Sequence, residues 1–96
     1  MSDTAFTIAD DAKPRLPRGV RLKHDETRGE WLLLAPERVI KPDLIALAVL
    51  QRCTGGATYA QIIDDLAKAY AAPRDHIEAD VRKLLGTLIA KRMVDL

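Results

Sequence analysis

The chain has 96 residues, of which 48% are hydrophobic and 30% are charged, and its formal net charge is +1 at pH 7. This composition suits one globular domain with a modest core. It excludes an intrinsically disordered chain, since such chains have few apolar residues. A charge so close to zero gives no reason to expect a polyanionic partner.

Residues 1–13 are predicted to form a flexible tail, and residues 14–96 a single domain. Phe6 and Ile8 are the large apolar residues that follow Met1 in the tail. The segment that begins at Pro14 is expected to be extended, because each proline fixes its own φ and disfavours helix in the residue before it.

Two strands and a turn follow this segment. Val20 and Leu22 alternate with basic residues, which is typical of a half-buried strand. Residues 25–29 contain turn-forming side chains and end in a glycine. Residues 31–34 are expected to return as a second strand. Their apolar side chains fall on both faces, so both faces of this strand could be covered by other parts of the chain.

A third, very short strand is predicted at residues 37–41. It lies between Pro36 and Pro42, and charged residues stand at both of its ends. Such a strand is typical of a sheet edge, where proline, charge and brevity discourage pairing with another chain.

Three helices are predicted after the strands, at about residues 42–52, from Thr58 to before Pro73, and from about residue 74 to 91. Pro42 suits a first helical position, and Gly55-Gly56 is expected to end the first helix. The apolar positions expected to be buried are Ile62, Ile63, Leu66 and Tyr70 in the second helix and Ile77, Val81, Leu84, Leu85 and Leu88 in the third.

Thr58 and Gln61 have the spacing of a capping box at the start of the second helix. Residues 93–96 are expected to form a last extended piece. The predicted fold is therefore α+β, a winged helix-turn-helix-like domain with three short N-terminal antiparallel strands followed by three helices.

The compartment is predicted from the cysteine content and from the first residues. Cys53 is the one cysteine, so an intramolecular disulfide cannot form and a reducing compartment fits best. The first twelve residues lack the basic start and apolar stretch of a signal peptide. No apolar run approaches the roughly 20 residues that span a bilayer, so we expect a cytoplasmic protein with no membrane partner.

No catalytic or metal-binding pattern stands out. His24, His76 and Cys53 have no spacing typical of a metal site, and Cys53 is expected to be a core residue rather than a nucleophile. Gly55-Gly56 lacks the strand and the Gly-Lys-Ser sequence of a phosphate loop. We therefore expect a protein that is not an enzyme and that has no cofactor or metal.

A DNA-binding winged helix is an alternative suggested by the helix-turn-helix pattern. A recognition helix should carry an excess of basic residues for phosphates. In the third helix, however, three basic residues stand against three acidic ones, namely Arg74, Arg82 and Lys83 against Asp75, Glu78 and Asp80. No nucleic-acid partner is therefore expected.

The edge strand allows two interpretations. Its charges can protect an edge that stays unpaired, or the edge can accept an extended peptide as an added strand, with the third helix as the opposite wall of a groove. The residues alone leave both open.

Three motifs then point to a family. They are Pro-Arg-Leu-Pro-Arg-Gly-Val-Arg-Leu at residues 14–22, Leu-Leu-Ala-Pro-Glu-Arg-Val at 33–39, and Asp-Val-x-x-Leu-Leu-x-x-Leu at 80–88. From about Lys13 to Leu96 the chain resembles the PqqD family of pyrroloquinoline quinone (PQQ) biosynthesis. It departs from the expected pattern at Arg92, where a small residue such as glycine is expected in the turn after the third helix.

The resemblance implies a peptide-binding module of the RiPP recognition element type without catalytic activity. Such proteins bind the precursor peptide PqqA and deliver it to PqqE, a radical S-adenosylmethionine enzyme that cross-links a Glu and a Tyr of the peptide. The peptide is implied to lie as an added strand on the third strand, against the third helix. The implied groove residues are Arg38, Val39, Ile40 and Lys41 on the strand and Asp80, Val81, Lys83, Leu84 and Leu85 on the helix.

Several alternatives accompany this resemblance. Val81 and Leu84 could instead belong to the core. Direct binding of the quinone product and a homodimer formed by strand pairing or swapping also stay open.

Overall fold

The structure, a computed structural model that describes residues 8–96, contains three antiparallel strands followed by three helices. The sheet order is β1-β2-β3, so β1 and β3 are its two edges. This confirms the predicted α+β class. The elements are β1 (Arg21–Asp25), β2 (Glu30–Ala35), β3 (Arg38–Ile40), α1 (Leu44–Gln51), α2 (Tyr59–Tyr70) and α3 (Arg74–Ala90).

The turn between β1 and β2 is built as its residues predict. The Asp25 carboxylate accepts hydrogen bonds from the backbone N–H groups of Thr27 and Arg28, at 3.1 and 3.4 Å. Gly29 has a φ of 66°, and its N–H donates to the Asp25 carbonyl at 2.7 Å. Glycine adopts this left-handed conformation without a steric cost.

The strand register gives the sheet two different faces. Side chains alternate between the faces along a strand, and directly paired residues share a face. Leu22 pairs with Leu33 and Leu33 with Ile40, and Leu33 is 0% exposed, so these three residues mark the core face. The opposite side, here called the outer face, carries Arg21, Lys23, Leu32, Leu34 and Val39.

Helix α1 begins at Leu44, two residues later than a helix with Pro42 as its first residue would. Asp43 is extended and is the N-cap, and its carboxylate accepts a hydrogen bond from the Ala46 N–H at 2.8 Å. The prediction that Pro42 is the first helical residue is therefore wrong. A carboxylate cap satisfies a free N–H group of the first turn, and proline has no side chain that could do so.

Helix α1 ends within one residue of its predicted end at about residue 52, but Gly55-Gly56 is not what ends it. The last helical residue is Gln51, and Arg52 is the C-cap, so the helix ends before Gly55-Gly56. Gly55 has a φ of 83°, and its N–H donates to the Pro14 carbonyl at 3.0 Å. Gly55 thus joins the loop to the N-terminal segment.

The capping box of α2 is confirmed, because the side chains of Thr58 and Gln61 each accept a hydrogen bond from the other residue's backbone N–H, at 3.1 and 2.8 Å. The prediction for Tyr70 is wrong, since it is 44% exposed. It lies in the last turn, where Ala71 adopts a left-handed conformation and turns the chain away. The buried residues of α2 are Tyr59, Ile62, Ile63 and Leu66.

The turn that ends helix α3 explains why the family resemblance leads us to expect a small residue such as glycine where Arg92 stands. Arg92 has a φ of 61°, a region that glycine adopts without strain, and the Met93 N–H donates to the Leu88 carbonyl at 2.8 Å. Met93 is buried. The following Asp95 exchanges two backbone hydrogen bonds with Arg15, at 2.8 and 2.9 Å.

Residues 8–12, assigned to the tail by the sequence, pack against the helices in the structure. Ile8 is buried, and the carbonyls of Asp10 and Ala12 accept hydrogen bonds from the N–H groups of Ala60 and Tyr59, at 3.1 and 2.7 Å. These carbonyls satisfy N–H groups in the first turn of α2 that have no partner within the helix. The packed domain therefore extends at least to Ile8, and the rest of the predicted tail lies outside the described residues.

Within residues 8–96, no helix combines the length and the apolar character needed to cross a membrane.

Candidate functional site

Strand β3 is an open edge of the sheet. Within the described part of the chain its strand partner is β2, through the pairs Leu33–Ile40, Leu34–Val39 and Ala35–Arg38. In an antiparallel ladder, alternate residues direct their N–H and C=O groups toward the partner strand and away from it. The far side of β3 therefore offers backbone donors and acceptors to a further strand.

The predicted strand residues of the site all have exposed surface, but they lie on different faces. Arg38 is exposed and Ile40 is half-buried, and both belong to the core face by alternation. Val39 is 65% exposed on the outer face. Lys41, one residue beyond the strand, forms an ion pair with Glu30 at 3.0 Å. An added strand would thus meet an apolar side chain on each face.

The predicted helix residues of the site divide into two groups. Asp80 and Lys83 are exposed and Leu84 is half-buried. Val81 and Leu85 are only 1% and 0% exposed, so a peptide at the surface cannot contact them. They belong to the core because they recur at helical spacing on the inward side of α3.

The hydrophobic core connects the strand and the helix. Leu33 of β2 and Leu85 of α3 belong to the same buried cluster. Ile40 of β3 and Leu84 of α3 are both partly buried residues that pack against this cluster. Ile40 and Leu84 therefore both lie at the margin of the core.

Two exposed apolar residues near the site were missed by the sequence analysis. Leu44 is 80% exposed and Ile45 is 43% exposed, and they open α1 directly after β3. Both fit the general apolar character of α1, so periodicity did not separate them from its buried residues. A signal was available, because a helix that is apolar all round must be covered on every side or leave apolar side chains in solvent.

Cys53 is a core residue, as predicted. It is 3% exposed, burial raises the pKa of its thiol to about 12, and the thiol donates to the Val49 carbonyl at 3.3 Å. At neutral pH the thiol is therefore protonated, which does not suit a nucleophile.

Tyr59 is also held in the core by a polar contact. Its hydroxyl donates a hydrogen bond to the Glu78 carboxylate at 2.7 Å. Burial, and then this hydrogen bond, raise the pKa of the Tyr59 hydroxyl. The contact ties α2 to α3, and it gives the buried hydroxyl the partner that it needs.

The basic residues of α3 are largely engaged with carboxylates. Arg74 contacts Asp64 at 2.5 Å, and Arg82 contacts Glu78 at 3.5 Å. A helix that reads DNA needs its basic side chains free for phosphates. The ion pairs of α3 and its equal numbers of basic and acidic residues therefore both argue against a DNA interface.

Surface depressions also occur away from the β3 edge. One is lined by residues that include Arg52 and Gln61, and another is lined by Asp10, Arg74, Asp75 and Glu78. Neither contains a residue of the predicted groove. In residues 8–96 no group of three or more His, Cys, Asp or Glu side chains is placed to hold a metal ion.

The relatives of this chain carry names that refer to the binding of PqqA. A protein of Xanthomonas oryzae pv. oryzae, named PqqA binding protein, is 50% identical over 90 residues, which span 94% of this chain and 98% of the relative. A protein of Rhodopseudomonas palustris with the same name is 45% identical over 91 residues, which span 95% of this chain and 89% of the relative.

Two solved structures resemble the fold over nearly its whole length. The solution structure of the PqqD truncation of Methylobacterium extorquens PqqCD has a TM-score of 0.77 at 42% identity and covers 95% of this chain and 97% of its own. It is described as a functional and stand-alone RiPP recognition element. The crystal structure of PqqD from Xanthomonas campestris has a TM-score of 0.59 at 49% identity and covers 94% of this chain and all of its own.

The family model of coenzyme PQQ synthesis protein D (PqqD) matches residues 30–94, which include β2, β3 and all three helices. Together with relatives that are up to half identical over nearly the full length, this match shows that the chain belongs to the PqqD family.

Proposed function

We propose that this chain is a cytoplasmic peptide chaperone of PQQ biosynthesis, which binds the precursor peptide PqqA as a fourth strand along β3 and presents it to the radical S-adenosylmethionine enzyme PqqE. It catalyses no reaction itself. The names of its relatives support PqqA as the ligand. The description of the Methylobacterium extorquens structure as a stand-alone recognition element supports binding by this domain alone.

The observation that carries the proposal is the open edge of β3. The strand has three residues, and Pro36 and Pro42 bound it closely on both sides. Val39 is 65% exposed, so folding of this chain leaves most of its apolar side chain in solvent. An added strand would satisfy the outward backbone groups of β3 and would cover part of Val39.

The wall opposite the edge would be the exposed surface of α3. Leu84 offers apolar area at the core margin, and Asp80 and Lys83 offer charges for the rim of the groove. Val81 and Leu85 would act indirectly, by fixing the position of α3. Arg38 and Lys41 would discourage pairing of two β3 edges and attract an acidic peptide.

A homodimer would compete with the peptide in this account. If two copies paired through β3, each edge would be occupied and neither could accept a guest strand. The monomer is therefore the form that we expect to bind PqqA.

The proposal is tested by fluorescence anisotropy of labelled PqqA peptide titrated with the monomeric protein. We expect saturable binding of PqqA, and much weaker binding of a peptide with the same residues in scrambled order. A labelled DNA duplex serves as the second probe. Failure of PqqA to bind, with duplex binding that weakens steeply as salt rises, would support the DNA-binding alternative instead.

A further inference from the structure

Helices α2 and α3 are joined by two polar side-chain contacts in the part of the chain that the structure describes. In the first, Asp64 accepts from Arg74, and both of these side chains are exposed, so water weakens their attraction. In the second, the hydroxyl of Tyr59, a residue that is only 1% exposed, donates to the Glu78 carboxylate at 2.7 Å. The Tyr59–Glu78 hydrogen bond is therefore the stronger directional tie between the two helices.

Tyr59 is itself held firmly, because it opens α2 where the N-terminal segment crosses it. Its N–H donates to the Ala12 carbonyl at 2.7 Å, and the next N–H along α2 donates to the Asp10 carbonyl at 3.1 Å. The ring of Tyr59 belongs to the same buried cluster as Ile8. The segment thus fixes the backbone of Tyr59 and the core fixes its ring, so its hydroxyl is a stationary donor for α3.

Glu78 lies on a different side of α3 from the residues proposed to meet the peptide. Successive residues of an α-helix are about 100° apart around its axis. Counted from the buried Val81 and Leu85, Glu78 falls on one side of the buried stripe, whereas Asp80 and Leu84 fall on the other. The hydrogen bond to Glu78 can therefore influence a peptide at Asp80 and Leu84 only through the placement of α3.

A directional contact matters for this placement, because the apolar contacts that bury α3 are not directional. Without the Tyr59 hydroxyl, the rotation of α3 about its axis would depend on apolar packing alone. A rotation of about 20° moves a Cα atom by roughly 0.8 Å, since these atoms lie on a cylinder of radius about 2.3 Å. A binding site needs its contact residues within about 0.5 Å of their working positions, so such a rotation would misplace Asp80 and Leu84.

We infer that Tyr59 and Glu78 are positioning residues for the peptide site, and that their hydrogen bond sets the rotation of α3 and thereby the affinity for PqqA. The inference rests on the proposed function, because it takes α3 as one wall of the site. Neither residue touches the peptide in this account. Loss of the hydrogen bond should therefore weaken PqqA binding although every residue that meets the peptide is still present.

The test compares variants of the full chain in the anisotropy titration with PqqA. Tyr59→Phe removes the hydroxyl and keeps the ring, Glu78→Ala removes the acceptor, and Glu78→Gln keeps an acceptor oxygen at the same reach. Asp65→Ala is the matched control, because it breaks a contact of the same length, Arg52 Nε to Asp65 Oδ2 at 2.7 Å, that ties α2 to the end of α1. Thermal unfolding followed by circular dichroism gives a temperature at which every variant is folded.

We expect Tyr59→Phe and Glu78→Ala each to weaken PqqA binding about fivefold. The double variant, Tyr59→Phe with Glu78→Ala, should bind no more weakly than either single variant, because both changes remove the same hydrogen bond. Glu78→Gln should restore most of the affinity, and Asp65→Ala should stay within about twofold of the wild type. A merely structural role would lower the unfolding temperature without producing this pattern of affinities.

Wild-type affinity in the folded Tyr59→Phe or Glu78→Ala variant would overturn the inference. Glu78→Gln that binds as weakly as Glu78→Ala would also overturn it, since the charge and not the hydrogen bond would then be responsible. An equal loss in Asp65→Ala would do the same, because any broken contact of α2 would then suffice. A wild-type chain that does not bind PqqA would contradict the proposed function, and the inference would fall with it.

Discussion

A proline placed in β3 where the backbone N–H points away from β2 is expected to weaken PqqA binding by about 2–3 kcal/mol, a loss of roughly 30- to 150-fold, while the domain stays folded. Proline removes the N–H that a guest strand would use, and its ring obstructs a neighbouring strand. A strand of three residues makes only a few hydrogen bonds on its outer side, so one lost donor affects a large share of the affinity.

Two variants, Val39→Pro and Ile40→Pro, make this experiment independent of which N–H points outward. The residues are adjacent, so one directs its N–H toward β2 and the other away from it. The variant that removes the bond to β2 should be destabilised in denaturant unfolding. The other should keep its pairing with β2 and stay folded, but it should lose PqqA binding in the anisotropy titration.

Val39→Thr is the control for the side chain, because threonine keeps the β-branched shape and the backbone N–H. It should bind PqqA far better than the folded proline variant. If that folded proline variant binds PqqA with the wild-type affinity, strand addition on β3 is wrong.

The second large effect is expected on stability, at Leu85 of α3. Leu85 is 0% exposed, so Leu85→Ala should lower the free energy of unfolding by about 2–5 kcal/mol. A domain of this size has only about 5–15 kcal/mol in total, so the variant should lose a substantial share of its stability. Urea denaturation measures the change.

The neighbouring residue provides the matched comparison. Leu84 is half-buried at the core margin, so Leu84→Ala should cost less stability than Leu85→Ala. It should weaken PqqA binding by about 1 kcal/mol, roughly fivefold, because it removes apolar area from the wall of the groove. If Leu84→Ala leaves PqqA binding unchanged while a folded Leu85→Ala loses it, the division of α3 into core and groove residues is wrong.

The parts of the fold with strong local signals could be predicted from the sequence. Alternation around Leu22 located the first strand, and the Thr58–Gln61 spacing located the start of α2, because both signals depend on neighbouring residues alone. Features that depend on distant contacts could not be predicted in this way. Tyr70 fits the helical stripe but extends past the packed surface, and Ile8 is buried by helices far along the chain.

The exposed edge at the candidate site could be predicted from the sequence, whereas the burial of its individual residues could not. The prolines and charges around residues 38–41 indicated an edge strand, and family resemblance gave that edge a function. Helical spacing could not tell the buried Leu85 from the half-buried Leu84, because adjacent residues on α3 differ only in how they turn toward the core. The exposure of Leu44 at the start of α1 likewise depends on what covers it in the folded chain.

The most direct test of strand addition is a titration of isotope-labelled, monomeric protein with PqqA peptide, followed by backbone amide NMR. The account predicts shifts concentrated at residues 37–41 of the β3 edge and along residues 80–88 of α3, strongest around the exposed or half-buried Asp80, Lys83 and Leu84. A folded monomer whose amides do not shift at high peptide excess, or shift only along β1, would contradict it.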